Sequence, residues 1–277
     1  WISKMAPPEN KDDGQYLNME EGEGPPAAFT RQKSSRDGKT TGVLGTSSHF
    51  HLQPHEFYQG PHTHDLRAGF IQKVYGILTF QLLVTIGICC MCMFVDGLRL
   101  NLINNSRAYF WTFLALLIVS LIVLMVTKNK FPINYISLTV FTATMGFYIG
   151  IVCAMYYQIG LGMAVLQALI LTTLLFVGLT LFTCITKIDF SFLRYGLFAS
   201  LWVLILWGLF IPIFGYSSYW LYCLFGVLIF SLFVVYDTSN IMHKFGYDDY
   251  IIAAIELYLD FINLFLLILQ ILGGSRR

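Results

Sequence analysis

The chain has 277 residues, of which 56% are hydrophobic and only 12% charged, and its net charge is +1. Soluble domains average about 25% charged residues, so the composition argues against an ordinary soluble enzyme. Near-neutrality without a dense Lys/Arg patch gives nucleic acid no footing.

Charge is also unevenly placed. The first 73 residues hold 17 charged side chains, and the remaining 204 hold 16. Residues 1–72 mix Gly, Pro, Ser and charge, as in Glu20-Glu21-Gly22-Glu23-Gly24-Pro25-Pro26, without hydrophobic periodicity. Such a composition cannot offset its ordering entropy, so this segment is predicted to be a disordered tail. It contains His49, His51, His55, His62 and His64, to which no site is assigned. No cleavable signal peptide is legible, and the first apolar span is expected to serve as the targeting signal.

Seven apolar stretches follow, at 74–94, 108–126, 131–157, 164–186, 195–214, 219–236 and 251–272, the sixth running on through Asp237. About 20 apolar residues at 1.5 Å rise per residue match a hydrocarbon core roughly 30 Å thick. Only a helix satisfies its own backbone there, short of a closed barrel. The expected fold is therefore all-α and polytopic, with a membrane domain over 73–272 and a short C-terminal tail at 273–277.

Basic residues in the short loops orient the domain. Arg67, Lys73, Lys128, Lys130, Lys187, Arg194 and Lys244 fall on the side of the tail, against Arg99, Arg107, Arg276 and Arg277 on the other if the last segment crosses fully. The N-terminus is accordingly expected in the cytoplasm. A last segment that re-enters without crossing is the alternative, because the closing arginine pair fits this orientation poorly.

The six cysteines, Cys89, Cys90, Cys92, Cys153, Cys184 and Cys223, all lie in apolar stretches and read as small packing residues. The informative polar residues are acids. Asp237 ends span six, and Glu256 and Asp260 lie in span seven. A carboxylate at the centre of a membrane helix costs about 2.5–3.5 kcal/mol even on lenient scales, so it normally faces a bundle interior and marks an ion or proton pathway. At 100° per residue, Glu256, Asp260, Asn263 and Gln270 share a stripe about 80° wide on an otherwise apolar helix. Such a helix belongs at the bundle centre, with its stripe lining a crevice.

Spans six and seven are joined by a short loop and run antiparallel, so Asp237 can face span seven. Two carboxylates in contact there share a proton and titrate together. Two structural readings stand beside this: a neutral acid pair that only locks two helices, and Asp237 as a helix-end residue in water.

Three stretches carry a resemblance to a known family. They are Phe70-Ile71-Gln72-Lys73-Val74-Tyr75, Val235-Tyr236-Asp237-Thr238 and Leu257-Tyr258-Leu259-Asp260-Phe261-Ile262-Asn263-Leu264-Phe265. Together they resemble the Bax-inhibitor, or Lifeguard, family. Gln167-Ala168-Leu169-Ile170-Leu171-Thr172-Thr173 and Lys187-Ile188-Asp189-Phe190-Ser191 look most like its Golgi anti-apoptotic protein branch.

The resemblance covers residues 66–272 and implies seven helices with the last wrapped by the other six. It also implies a pH-sensitive calcium leak across a Golgi or endoplasmic reticulum membrane, associated with suppression of cell death. Asp237 and Asp260 match the pH-sensing pair and the transient calcium contacts, and Lys128 matches a basic latch on Asp237. Glu256 and Asn263 would line the ion pathway. Depth along the helix instead brings Glu256 level with Asp237. Some relatives carry a Glu in span three where this chain has Met145, and a Lys at 128 lacks the bidentate fork of an Arg.

No cofactor is implied beyond calcium as the permeant ion, and the partners are the bilayer, calcium and membrane proteins that regulate cell death. An anti-apoptotic scaffold acting through such partners is the main alternative. An intramembrane aspartyl protease is the weaker one, because Asp260 follows Leu257-Tyr258-Leu259 rather than a Gly-x-Gly motif and no proline follows Pro212. The expected protein is not an enzyme.

Overall fold

The computed structural model describes residues 61–186, 188–214 and 219–274, all within the second of the chain's two units, Gln53–Arg277. The tail proper, Lys187 and the closing Arg276-Arg277 pair lie outside the described residues.

The described residues form eight α-helices: α1 Pro61–Phe94, α2 Asp96–Asn104, α3 Ser106–Thr127, α4 Ile133–Gln158, α5 Gly162–Thr186, α6 Arg194–Phe214, α7 Tyr219–His243 and α8 Tyr250–Gly274. A 3₁₀ turn, Phe190–Leu193, precedes α6. Seven helical stretches are long and apolar enough to cross a membrane, and α2 is the exception. The molecule is an all-α, multi-pass membrane protein.

Three boundaries differ from expectation. Helix α1 begins at Pro61, inside the stretch read as tail. Helix α2 is a short extra element between the first two spans, too polar on average to register as a span. Helix α7 continues through Thr238-Ser239-Asn240 to His243, because these polar residues are buried against neighbouring helices rather than ending the helix in water. Asp237 thereby moves about 9 Å inside its helix end, at 1.5 Å for each of six residues.

Helix α8 is the axis of the bundle. Of its most apolar stretch, 72% is buried, against 11% for α3, which places the two at the centre and the rim. It packs on α1, α4, α5 and α7, while α3 packs chiefly on α4, and α6 on α7. Four helices therefore form the sheath, with α3 and α6 outside it, where the resemblance implied six around one.

Close approach of α7 and α8 depends on Gly226, since a Cβ there would come 2.8 Å from Leu267. Small residues are how membrane helices bring their backbones together. At the α4–α5 turn, Gly160 has φ +81°, a left-handed conformation that closes the end of α4 without steric cost.

One end of the bundle, here the near end, carries the start of α1, the start of α4, the end of α5 and the α7–α8 loop. Contacts define it: Arg67 donates to Phe245, the Tyr135 and Tyr250 rings stack, and the Phe190 N–H donates to Ser239 Oγ. At the far end Phe94 meets Tyr157, and the Tyr219 hydroxyl donates to Gln270.

Candidate functional site

The site grows from two polar runs on adjacent helices. On α7, Asp237, Thr238, Ser239 and Asn240 are all buried, with Asp237 at 6% exposure. On α8, Asp260 is 4% exposed, and Glu256 and Asn263, one turn to either side, are half-buried. Burial of Asp237 removes the reading of it as a solvated helix end.

Asp237 and Asp260 lie within hydrogen-bonding reach of each other, and the Asn240 side chain is close enough to interact with Asp237. Glu256 lies within electrostatic reach of both aspartates, one helical turn nearer the near end than Asp260. The contact pair is thus Asp237–Asp260, in line with the sequence match rather than with depth alone. Gln270, the last member of the stripe, accepts hydrogen bonds from the Tyr219 hydroxyl at 2.7 Å and the Cys223 thiol at 3.3 Å. The stripe therefore faces α7 along its length.

Among the described residues, buried oxygens without a hydrogen-bond partner include Asp260 Oδ2 itself, Thr238 Oγ1 and Asn240 Oδ1 on the α7 run that carries Asp237, and Tyr75 Oη, Thr172 Oγ1 and Thr180 Oγ1 on α1 and α5. Tyr75 on α1 faces Thr238 on α7 and Thr180 on α5, close enough to interact but outside good hydrogen-bond geometry. An unpaired buried polar group costs about 1–3 kcal/mol, and such groups are rare in folded proteins. Three of them, on Thr238, Asn240 and Asp260, belong to the acid pair and the residues next to it, which marks this stretch of α7 and α8 as a polar part of the bundle interior. Sequence reading missed Tyr75, Thr180, Thr238 and Asn240, because hydroxyls are common in membrane helices and only three-dimensional packing collects them. The one legible signal was the unbroken polar run from Asp237 to Asn240.

On the side of α8 that meets α1 the polar contacts are few, and Gln81 Oε1 there has no partner among the described residues. Thr85 Oγ1 and the Tyr258 hydroxyl share a hydrogen bond of 2.8 Å, and Gln81 Nε2 donates to Thr142. The Thr85–Tyr258 bond ties α8 to α1, and on the opposite side Asp260 Oδ2 is left without a donor.

The near end carries the cations. Arg67 Nη1 donates to the carbonyls of Phe245 at 2.7 Å and Ile241 at 3.4 Å, and its guanidinium lies 5.2 Å from the Tyr247 ring centre. Lys73 Nζ lies 3.2 Å from the Tyr250 ring centre. Cations here complement the unpaired carbonyls and dipole at the end of α7.

Lys128, at the end of α3, is half-buried and makes no ion pair with Asp237; among the described residues the one ion pair is Arg99–Asp96. The basic group tied to the Asp237 helix is Arg67, which sequence reading had counted only for topology. Beyond the spans, Asp189 accepts hydrogen bonds from the Ser191 backbone and hydroxyl, which hold its carboxyl below the usual range, with Lys244 and His243 adding to the effect.

Cys92, Cys153 and Cys223 are buried, and all six cysteines are free. No group of three or more His, Cys, Asp or Glu side chains is arranged to hold a metal among the described residues.

The family profile described as Inhibitor of apoptosis-promoting Bax1 matches residues 67–277. The chain belongs to the Bax inhibitor, or Lifeguard, family. It is similar to Protein LIFEGUARD 4 of Arabidopsis thaliana, with 39% identity covering 76% of this chain and 87% of that protein. Golgi anti-apoptotic protein of Vaccinia virus (strain Lister) is 37% identical, over 76% of this chain and 88% of the viral one. Protein lifeguard 4 of Mus musculus is also 37% identical, over 76% and 87% of the respective chains. The profile match takes in every transmembrane span of this Lifeguard-family protein and both aspartates.

Proposed function

We propose that this Lifeguard-family protein is a pH-modulated calcium leak of an intracellular membrane, with its N-terminus in the cytoplasm. The observation that carries the reading is the buried Asp237–Asp260 contact among unpartnered oxygens on the central helix. Hard cations take oxygen ligands. Two carboxyls and scattered neutral oxygens make a weak, incomplete site, which suits passage better than storage.

A proton shared by the two aspartates makes one of them a donor and ties α7 to α8. Loss of that proton leaves two negative charges that repel each other and attract a cation, so occupancy of the site and helix contact change together. Glu256 and Asn263 continue the pathway toward the near and far ends. Lys128, half-buried and without an ion pair, is available to latch Asp237 in a closed form.

The names of the viral and other relatives connect the family with the Golgi and with suppression of apoptosis. We extend both to this chain: a leak that lowers stored calcium in a Golgi or endoplasmic reticulum compartment would act on cell death through the ion rather than through catalysis.

The test is calcium flux from liposomes containing the purified full chain, measured across pH. Asp260→Asn should alter basal flux and flatten its pH dependence while membrane insertion is unchanged. Flux no greater than in protein-free liposomes would remove the leak and leave a scaffold acting through membrane partners.

A further inference from the structure

The far half of the bundle contains a cavity of about 690 Å³ outside the acid site. Its walls are the last turns of α1 and α4 and the first turns of α5, and its floor is Phe261, Ile262 and Phe265 of α8. Helix α1 packs principally on α4, and α5 on α8 and α7, so the wall between α1 and α5 is open. Exposed side chains flank that opening, with Phe94 at 62% on one side and Met163 at 61% on the other.

The opening is continuous with the apolar outer surface of the spans, where Leu83 is 64% and Leu174 66% exposed. Such a surface, on helices long enough to cross a bilayer, is the protein's interface with lipid. The cavity is a side branch of that interface.

Water is a poor occupant, because a buried water needs two to four polar partners. The lining is mostly apolar, and two of its polar side chains are already engaged: Thr85 with Tyr258 and the Gln81 carbonyl, and Cys89 with the Gly146 carbonyl. The volume falls within the range of about 300–1,000 Å³ typical of sites that enclose a small apolar ligand. An acyl chain entering from the bilayer exchanges one apolar environment for another, so the tail alone provides little preference. A preference requires a headgroup contact.

Arg99, on α2, supplies one at the rim. Its Nη1 donates to the carbonyl of Met93 at 2.8 Å, and its guanidinium lies 5.1 Å from the Tyr157 ring centre; both residues line the cavity. Its Nε–H has no acceptor. The anion paired with it is Asp96, whose side chain is 78% exposed and so is readily displaced toward solvent. We propose that the cavity between α1 and α5 holds one acyl chain of an anionic phospholipid from the adjoining leaflet, with the lipid phosphate at Arg99. The assignment does not depend on ion conduction.

The experiment uses the full chain in phosphatidylcholine vesicles containing a trace of diazirine-acyl phosphatidylglycerol or, separately, diazirine-acyl phosphatidylcholine. Photoadducts are mapped by mass spectrometry. Adducts should concentrate on Phe261, Ile262 and Phe265, and the anionic probe should exceed the zwitterionic one there by about fivefold, the advantage that one arginine near a membrane surface confers. Arg99→Gln should bring the ratio to about one, and Asp96→Asn, which removes the competing anion, should raise it.

Leu166→Trp, at the mouth, should remove the interior adducts and leave those on Leu206 and Leu209 of α6 unchanged. Met163→Trp, at a more exposed position, is the substitute if that variant does not fold. Equal labelling by the two probes, or interior adducts no denser than those on α6, would overturn the proposal. A slot free of adducts in a chain that runs as a dimer would assign it to a second copy and overturn the lipid assignment equally.

Discussion

Asp237 and Asp260 touch although both, when ionised, only accept hydrogen bonds, and Asp260 Oδ2 finds no donor among the described residues. A single proton between them would supply the missing donor and couple the two residues. Neighbours that share a hydrogen bond typically couple by about 0.5–3 kcal/mol. Asp237→Asn, Asp260→Asn and the double variant, compared by flux or thermal stability, should therefore depart from additivity by that much; strict additivity would mean that the acids do not meet in the membrane. Glu256 is half-buried and reaches the pair through electrostatics alone. A carboxylate about 4 Å from a cation in water attracts it by about 1 kcal/mol, or about fivefold in local concentration. Glu256→Gln should lower calcium flux by about that factor at low salt, and the difference should vanish near 1 M, where the Debye length is about 3 Å. The midpoint of the pH response should stay in place; a shift of a unit or more with Glu256→Gln, but none with Asp260→Asn, would transfer the sensing role to Glu256. The acids were legible in the sequence because charge is costly in lipid and stands out there. Tyr75, Thr180 and Thr238 were not, since a hydroxyl satisfied by its own helix and one left unpaired in a core look alike in a sequence.

At the scale of elements, the end of α7 shows where hydropathy misleads. Thr238, Ser239 and Asn240 lower the apolar signal as a loop would, yet each is buried, and Ser239 accepts from the Phe190 N–H and donates to the Ile188 carbonyl. The helix continues because these side chains are packed inside the bundle, with Ser239 bonded to the segment before α6, and that packing depends on other parts of the chain. The same holds for the cation at this end. The family resemblance implied Lys128 as a latch, and packing in addition brings Arg67 onto the α7 terminus, where its two carbonyl contacts and the Tyr247 ring hold α1 against the α7–α8 loop. Arg67→Gln removes a charge from a helix C-terminus and a charge-assisted hydrogen bond, a loss of about 1–3 kcal/mol. The expected result is faster hydrogen exchange at Lys244 and Phe245, whose N–H groups donate to Asn240, together with a change in resting calcium flux. Lys128→Gln should leave that exchange unchanged, and equal effects of the two substitutions would reduce both residues to loop charge.

For the whole molecule, the alternation of apolar spans and charged loops was enough to fix the helical class and the number of crossings. The polar stripe was enough to put the last helix at the centre. The division into four sheath helices and two outer ones was not legible, because α3 and α6 are as apolar as their neighbours and differ only in what they pack against. Helix α8 runs unbroken from Tyr250 to Gly274, and its 25 residues at 1.5 Å each span about 37 Å, more than a hydrocarbon core of about 30 Å. Four helices pack on it, and a re-entrant course would take Gln270 away from Tyr219 and Cys223 at the far end. Were all seven helices to cross, the start of α1 and the end of α8 would face opposite sides of the membrane, and the excess of basic residues in the near-end loops would favour a cytoplasmic N-terminus. A protease-sensitive tag before residue 1 should be cleaved in intact vesicles of cytoplasmic-side-out orientation, and the same tag after Arg277 only once the membrane is permeabilised. Cleavage of both tags without detergent would show that α8 turns back, and would detach the polar stripe from the far face that a leak must reach.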